Sequence, residues 1–225
     1  EAMHETSRSI GETAGIWLGA GASLLIVALI FHGPPDPDLS VQMEHVAHGH
    51  ERWAAVHWTA AVALFLISGA GFLNLVDRRR AQTTPLVTSA WLIMALGALL
   101  TVSTAISEAA AVAAASVGDE AAFVFWWQFA SGMANGFFAL ALAAAFIAFS
   151  EARAAHRRMP VWVAVAGTAF GVLSALGWML GEHLGIGIGG PIWLVSTLLM
   201  CVWLAYFGFS ALRRDATATA PQTTR

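Results

Sequence analysis

Lysine is missing from the 225 residues, so all eleven basic side chains are arginine. Without an ε-amine no Schiff base forms, which excludes retinal bound covalently through lysine and lysine-based nucleophilic catalysis. Cysteine occurs once, at Cys201 inside an apolar run. No disulfide within the chain and no cysteine metal motif can exist, and Cys201 reads as a small buried hydrophobe. Charge is also scarce. Asp, Glu, Lys and Arg make up 11% of the chain, against about 25% in a soluble domain, while 58% is hydrophobic. The chain has no phosphate-cradling glycine loop, no His-Glu-x-x-His zinc-protease pattern and no Gly-x-Ser-x-Gly elbow. Nothing in it points to nucleic acid.

In place of these signals stand six apolar stretches, at 14–31, 53–76, 85–107, 121–149, 160–180 and 191–212. An α-helix needs roughly 20 apolar residues to cross the hydrocarbon core of a bilayer. The pattern therefore predicts an all-α integral membrane protein with six transmembrane helices. Residues 1–13 read as a loose polar segment, with Glu1 and Ala2 set aside as a cloning remnant before Met3. Residues 14–212 read as the six-helix domain, and 213–225 as a disordered cytoplasmic tail. The prolines around Pro34 stop the first helix. Asp38 or Ser40 can cap a short surface helix between helices 1 and 2. Pro85, Pro160 and Pro191 open the third, fifth and sixth helices, and the third extends through an Ala-rich stretch to residue 116. Gly15 with Gly19, Gly132 with Gly136, and Gly167 with Gly171 mark close helix contacts. Such faces could also serve a homo-oligomer or a hetero-complex.

Arginine fixes the expected orientation. With both termini cytoplasmic, ten arginines lie inside and only Arg52 outside, a strong positive-inside bias. Eight acids and one Arg leave the outer face at −7. Ten Arg against six acids leave the inner face at +4, and the two recover the net −3. The inner arginines serve as anchors beside anionic lipid. This places the chain in the cell membrane as a multi-pass protein. Most of the ten Trp have an interfacial anchoring role.

Histidine is as one-sided as arginine. His32, His45, His48, His50, His57 and His183 fall toward the outer face, and only His4 and His156 toward the inner. Imidazole is the commonest metal-binding side chain. The dense segment runs Glu44, His45, Val46, Ala47, His48, Gly49, His50, Glu51. On a helix His45 and His48 are neighbours, as are Glu44 and His48. Glu44, His45, His48 and His50 are thus a candidate site for a divalent metal such as zinc or copper. The plainer alternative is a solvated polar loop.

A second candidate lies within the spans. His57 sits one turn into the second span, and Glu108 at the outer end of the third, above Thr101, Thr104 and Ser107. An ionisable group at membrane depth is costly and points to function. Gln128, Ser131 and Asn135 form a polar stripe on the fourth span. With Glu182 and His183 these residues are expected to line a polar cavity open to the outside. For the hydroxyls, interhelical hydrogen bonds worth about 0.6–2 kcal/mol each are the simpler role. A bis-histidine haem would have to pair His57 with His183 or His32.

The layout resembles a bacterial and archaeal family of small polytopic membrane proteins of unknown function. The likeness rests on a first span followed by a polar outer segment, on the approach Glu51-Arg52-Trp53 to the second span, and on the last span from Pro191-Ile192-Trp193-Leu194 through Leu204 to Gly208. It implies no activity, and the His-rich segment is not part of it. Three functions stay open. One is a module that binds or transports a cation, proton or small ligand in the outward cavity. The second is an accessory subunit of a larger membrane complex. The third is a metal-dependent membrane enzyme acting at the outer leaflet.

Overall fold

A computed structural model describes residues 2–33, 36, 38–77, 84–154 and 159–218, with side chains from residue 10 to residue 210. Its helices are α1 (Ala2–His32), α2 (Leu39–His48), α3 (His50–Val76), α4 (Pro85–Ser107), α5 (Ala113–Ala115), α6 (Glu120–Arg153), α7 (Val161–Trp178) and α8 (Gly189–Ala218). Two π-helical turns, Glu108–Val112 and Met179–His183, extend the ends of α4 and α7. Among the described residues there is no strand.

Six helical stretches are long and apolar enough to cross a membrane: Ile10–His32, His50–Val76, Pro85–Ala115, Glu120–Arg153, Val161–His183 and Gly189–Ser210. Two helices run beyond the apolar stretches that mark their spans. The first helix begins at Ala2, so the polar segment before the span is helical and not loose. The last helix continues to Ala218, past the expected start of the tail. Hydropathy marks where a helix can enter hydrocarbon, but a nucleated helix propagates through polar residues of adequate propensity. The rest of the tail, from 219 on, lies outside the described residues.

Each long helix packs mainly against its neighbours in the chain, and α1 closes the set against α8. The result is a six-membered up-and-down ring. Close approaches are made by small residues, whose missing side chains let backbones touch. A Cβ on Gly97 would stand 2.6 Å from the Gly136 carbonyl oxygen. One on Gly208 would stand 2.6 Å from the Gly19 nitrogen and 2.7 Å from the Gly15 oxygen, and one on Gly171 2.7 Å from the Ala141 oxygen. Gly132, expected at such a contact, has open space at its Cβ position instead. Leu64, Ile67, Met94, Leu140, Met200 and Leu204 are fully buried and fill the middle of the ring. Cys201 is buried there too.

The outer wall of the ring is apolar. Phe65, Leu96, Leu99, Leu173, Leu176 and Val202 are all exposed. A soluble monomer rarely shows contiguous apolar surface of this extent, whereas a hydrocarbon environment suits it.

At the end of the ring away from the chain termini, α2 lies across the top. Asp38 caps it: its Oδ1 accepts from the Ser40 backbone N–H at 2.9 Å and the Ser40 hydroxyl at 2.7 Å. These bonds favour the charged carboxylate and hold the Asp38 pKa below its ordinary value. Val46 is the apolar foot of α2. It packs with Trp53, Val112 and Phe123 in a small second core that fastens α2 over α3 and α6.

Candidate functional site

Inside that end of the ring is a cavity of about 490 Å³. Its floor is apolar, with Leu25, Leu64 and Phe137, and its walls include Trp127, Trp178 and Trp193. The polar groups on it are few: His32, Asp36, His57, Thr101, Thr104, Glu108, Ser131 and Glu182.

Three of these converge. The His57 Nε2 atom lies 2.5 Å from Glu108 Oε2, and His32 Nε2 lies 4.0 Å from the same oxygen. One ligand atom from each of His32, His57 and Glu108 falls within 4.8 Å of the others. Among the described residues this is the group of three His, Cys, Asp or Glu side chains with metal-holding geometry. His57 is only 4% exposed.

The local fold sets the direction of each side chain. His57 Nδ1 is 2.8 Å from the Trp53 carbonyl oxygen one turn earlier, and His32 Nδ1 is 2.6 Å from the Gly33 carbonyl oxygen. A carbonyl can only accept, so each Nδ1 carries a proton and donates it. Each ring therefore presents Nε2 to the cavity. In metal-ligating histidines the same bond, from the ring nitrogen that does not face the metal, fixes tautomer and aim. Trp53 packs against both rings, with centroids 4.4 Å from His57 and 5.1 Å from His32, and holds them in place. Glu108 is the first residue of the π turn that follows α4. Such wide turns shift helical register by one residue and are frequent at functional sites. Here the turn lets Ala109 and Val112 stay buried while Glu108 borders the cavity.

A contact of 2.5 Å between a nitrogen and a carboxylate oxygen must hold a proton or a cation between two lone pairs. A zinc ion bonds imidazole nitrogen and carboxylate oxygen at about 2.0–2.2 Å, which sets neighbouring tetrahedral ligands about 3.3 Å apart. The pair would need to open by less than an ångström, a shift within reach of a rotating glutamate. Two imidazoles and a carboxylate are thus a fitting donor set for a divalent transition metal.

The other candidate residues are dispersed. Thr104 reaches the cavity wall, but its hydroxyl donates to the Ala130 carbonyl oxygen of α6 at 2.9 Å, a bond between helices. Ser131 and Glu182 also border the cavity. Gln128 is exposed on α6. Asn135 faces α7, where its Oδ1 accepts from Trp178 Nε1 at 3.2 Å and from His183 Nε2 at 2.8 Å. Helical geometry explains the split. Positions seven apart differ by about 20° around the axis, so Gln128 and Asn135 align, while Ser131 is about 60° away from Gln128.

Glu44, His45 and His48 lie on α2, and His50 opens α3. His48 Nδ1 donates to the Glu44 carbonyl oxygen at 2.8 Å, and the Glu44 side chain makes no group with the histidines. Sequence reasoning left His32 out of the site. Its signal was available: like His57, it stands at the end of a span on the same side. Matches to family models, to curated proteins and to solved structures were all sought for this chain, and none was found.

Proposed function

We propose that this is a multi-pass cell-membrane protein, with cytoplasmic termini, whose outward-facing cavity binds a divalent transition metal ion, zinc foremost, at His32, His57 and Glu108. The membrane setting is supported by the six apolar helices and the apolar outer wall of the ring. The orientation is supported by the arginine asymmetry.

One observation carries the metal reading. Both imidazoles give their Nδ1 protons to backbone carbonyls and turn Nε2 onto one carboxylate oxygen. Two aimed lone pairs beside a carboxylate, desolvated in an apolar setting, form a site for positive charge.

Elemental analysis of the purified protein after incubation with zinc and removal of excess tests this. The expected result is one zinc per chain. His57→Ala and Glu108→Gln are expected to lose it, whereas a His45→Ala/His48→Ala double variant keeps it. A metal-free wild-type protein, or zinc retained in both site variants, would overturn the assignment.

A further inference from the structure

We propose that the cavity is the active site of a metal-dependent hydrolase for an apolar acyl compound, a lipid ester or lipid amide, with Glu182 as general base. The inference rests on the metal reading above and extends it to a reaction.

Ligand number comes first. Structural zinc sites close the metal with four protein ligands, whereas catalytic sites use three and leave a position for water or substrate. Here three side chains converge, and they border a cavity of about 490 Å³. That volume suits a drug-sized organic molecule. It far exceeds the roughly 30 Å³ taken by one water, so it is not explained by an ion alone.

A second carboxylate borders the same cavity: Glu182 lines it from the π turn after α7. It is outside the converging group. A carboxylate that lines a metal's cavity without ligating the metal is available to take a proton from water there. Asn135 positions this turn, because its Oδ1 accepts from Trp178 and His183, which flank Glu182 in sequence.

The walls indicate the substrate. Leu29, Phe137, Trp127, Trp178 and Trp193 present apolar surface suited to an acyl chain.

In the reaction, His32, His57 and Glu108 would hold the metal, which would polarise the attacking water, and Glu182 would take a proton from that water as its oxygen bonds to the acyl carbon. The acyl C–O or C–N bond then breaks, and Glu182 returns the proton to the departing oxygen or nitrogen. The products are a carboxylic acid and an alcohol or amine. Water is the co-reactant, and nothing is oxidised or reduced.

The full-length protein in detergent, loaded with zinc, would be assayed with acetyl, octanoyl and dodecanoyl p-nitrophenyl esters and with dodecanoyl p-nitroanilide. Chelator-sensitive hydrolysis is expected, with kcat/KM rising from acetyl to dodecanoyl. Turnover of the esters alone assigns lipid esters; turnover of the anilide as well assigns lipid amides. Glu182→Gln should keep its zinc and lose about 10²–10⁴-fold in kcat. Glu182→Asp, which retains a carboxylate, should keep zinc and lose less; it decides the role of Glu182 if the glutamine variant does not fold. Bound zinc with no turnover of any probe would overturn the hydrolase and leave the metal site standing. Absence of zinc from the wild type would overturn both. Full turnover by a zinc-loaded Glu182→Gln would remove Glu182 as base.

Discussion

A buried imidazole has two nitrogens to satisfy, and in His57 the helix satisfies only one. The Trp53 carbonyl takes the Nδ1 proton, leaving Nε2 to Glu108. Thr104 stands at the same cavity and behaves differently, because its hydroxyl is already committed to the Ala130 carbonyl across the helix pair. Thr104→Val removes that bond at constant shape. It is expected to lower stability by about 0.5–1.5 kcal/mol, read as a lower thermal midpoint in detergent, with zinc content unchanged. Zinc loss in this variant would move Thr104 into the site. His57 and Glu108 were legible in the sequence because an ionisable group at membrane depth demands a reason. His32 was less so, since beside Gly33 and the prolines a polar residue has an ordinary role in ending a helix. The dense run from Glu44 to Glu51 drew attention through composition, but a short exposed helix spreads its side chains and gathers no third ligand.

Helices announce themselves through hydropathy and punctuation, and much of that was readable. Pro85 occupies the first turn of α4, and Asp38 caps α2. The π turns were not readable, because one inserted residue changes register without changing composition. The glycines were readable only in part. A glycine pair announces a possible contact but not which member makes it, as α6 illustrates. A Cβ on Gly136 would run into the Gly97 carbonyl oxygen and stand 2.7 Å from Leu100 Cβ and 2.8 Å from Thr101 Oγ1, whereas nothing lies within 4 Å of one on Gly132. Gly136→Ala is therefore expected to destabilise by about 1–3 kcal/mol through overpacking of α4 against α6. Gly132→Ala should be neutral or stabilising by up to about 1 kcal/mol, because alanine favours the helix. Thermal unfolding of the two variants side by side checks the contrast; equal midpoints would mean that α4 and α6 do not approach at Gly136.

At the level of the whole molecule, spans and their order could be read from hydropathy, but ring closure could not. Nothing in a list of six spans says that the first meets the last. That contact depends on Gly208 accepting the backbone of α1 at Gly15 and Gly19, a complementarity visible only once both helices have positions. Closure is what gives the molecule an interior: residues in its middle plug the ring, and the end bearing His32, His57 and Glu108 stays hollow. A cavity at one end makes sidedness decisive, because the same ring inverted would offer His32, His57 and Glu108 to the cytosol. The lone cysteine makes the question direct. In a Cys201→Ala background, Ser40→Cys places an exposed thiol on α2 above the cavity, and Thr84→Cys places one at the opposite end, ahead of α4. The ten-to-one arginine partition favours the cavity outside. A membrane-impermeant maleimide should then label Ser40→Cys in intact cells and Thr84→Cys only after permeabilisation. The reverse pattern would turn the cavity inward, while labelling of both in intact cells would break the six-span topology, since the single span α3 lies between the two positions and keeps them on opposite faces.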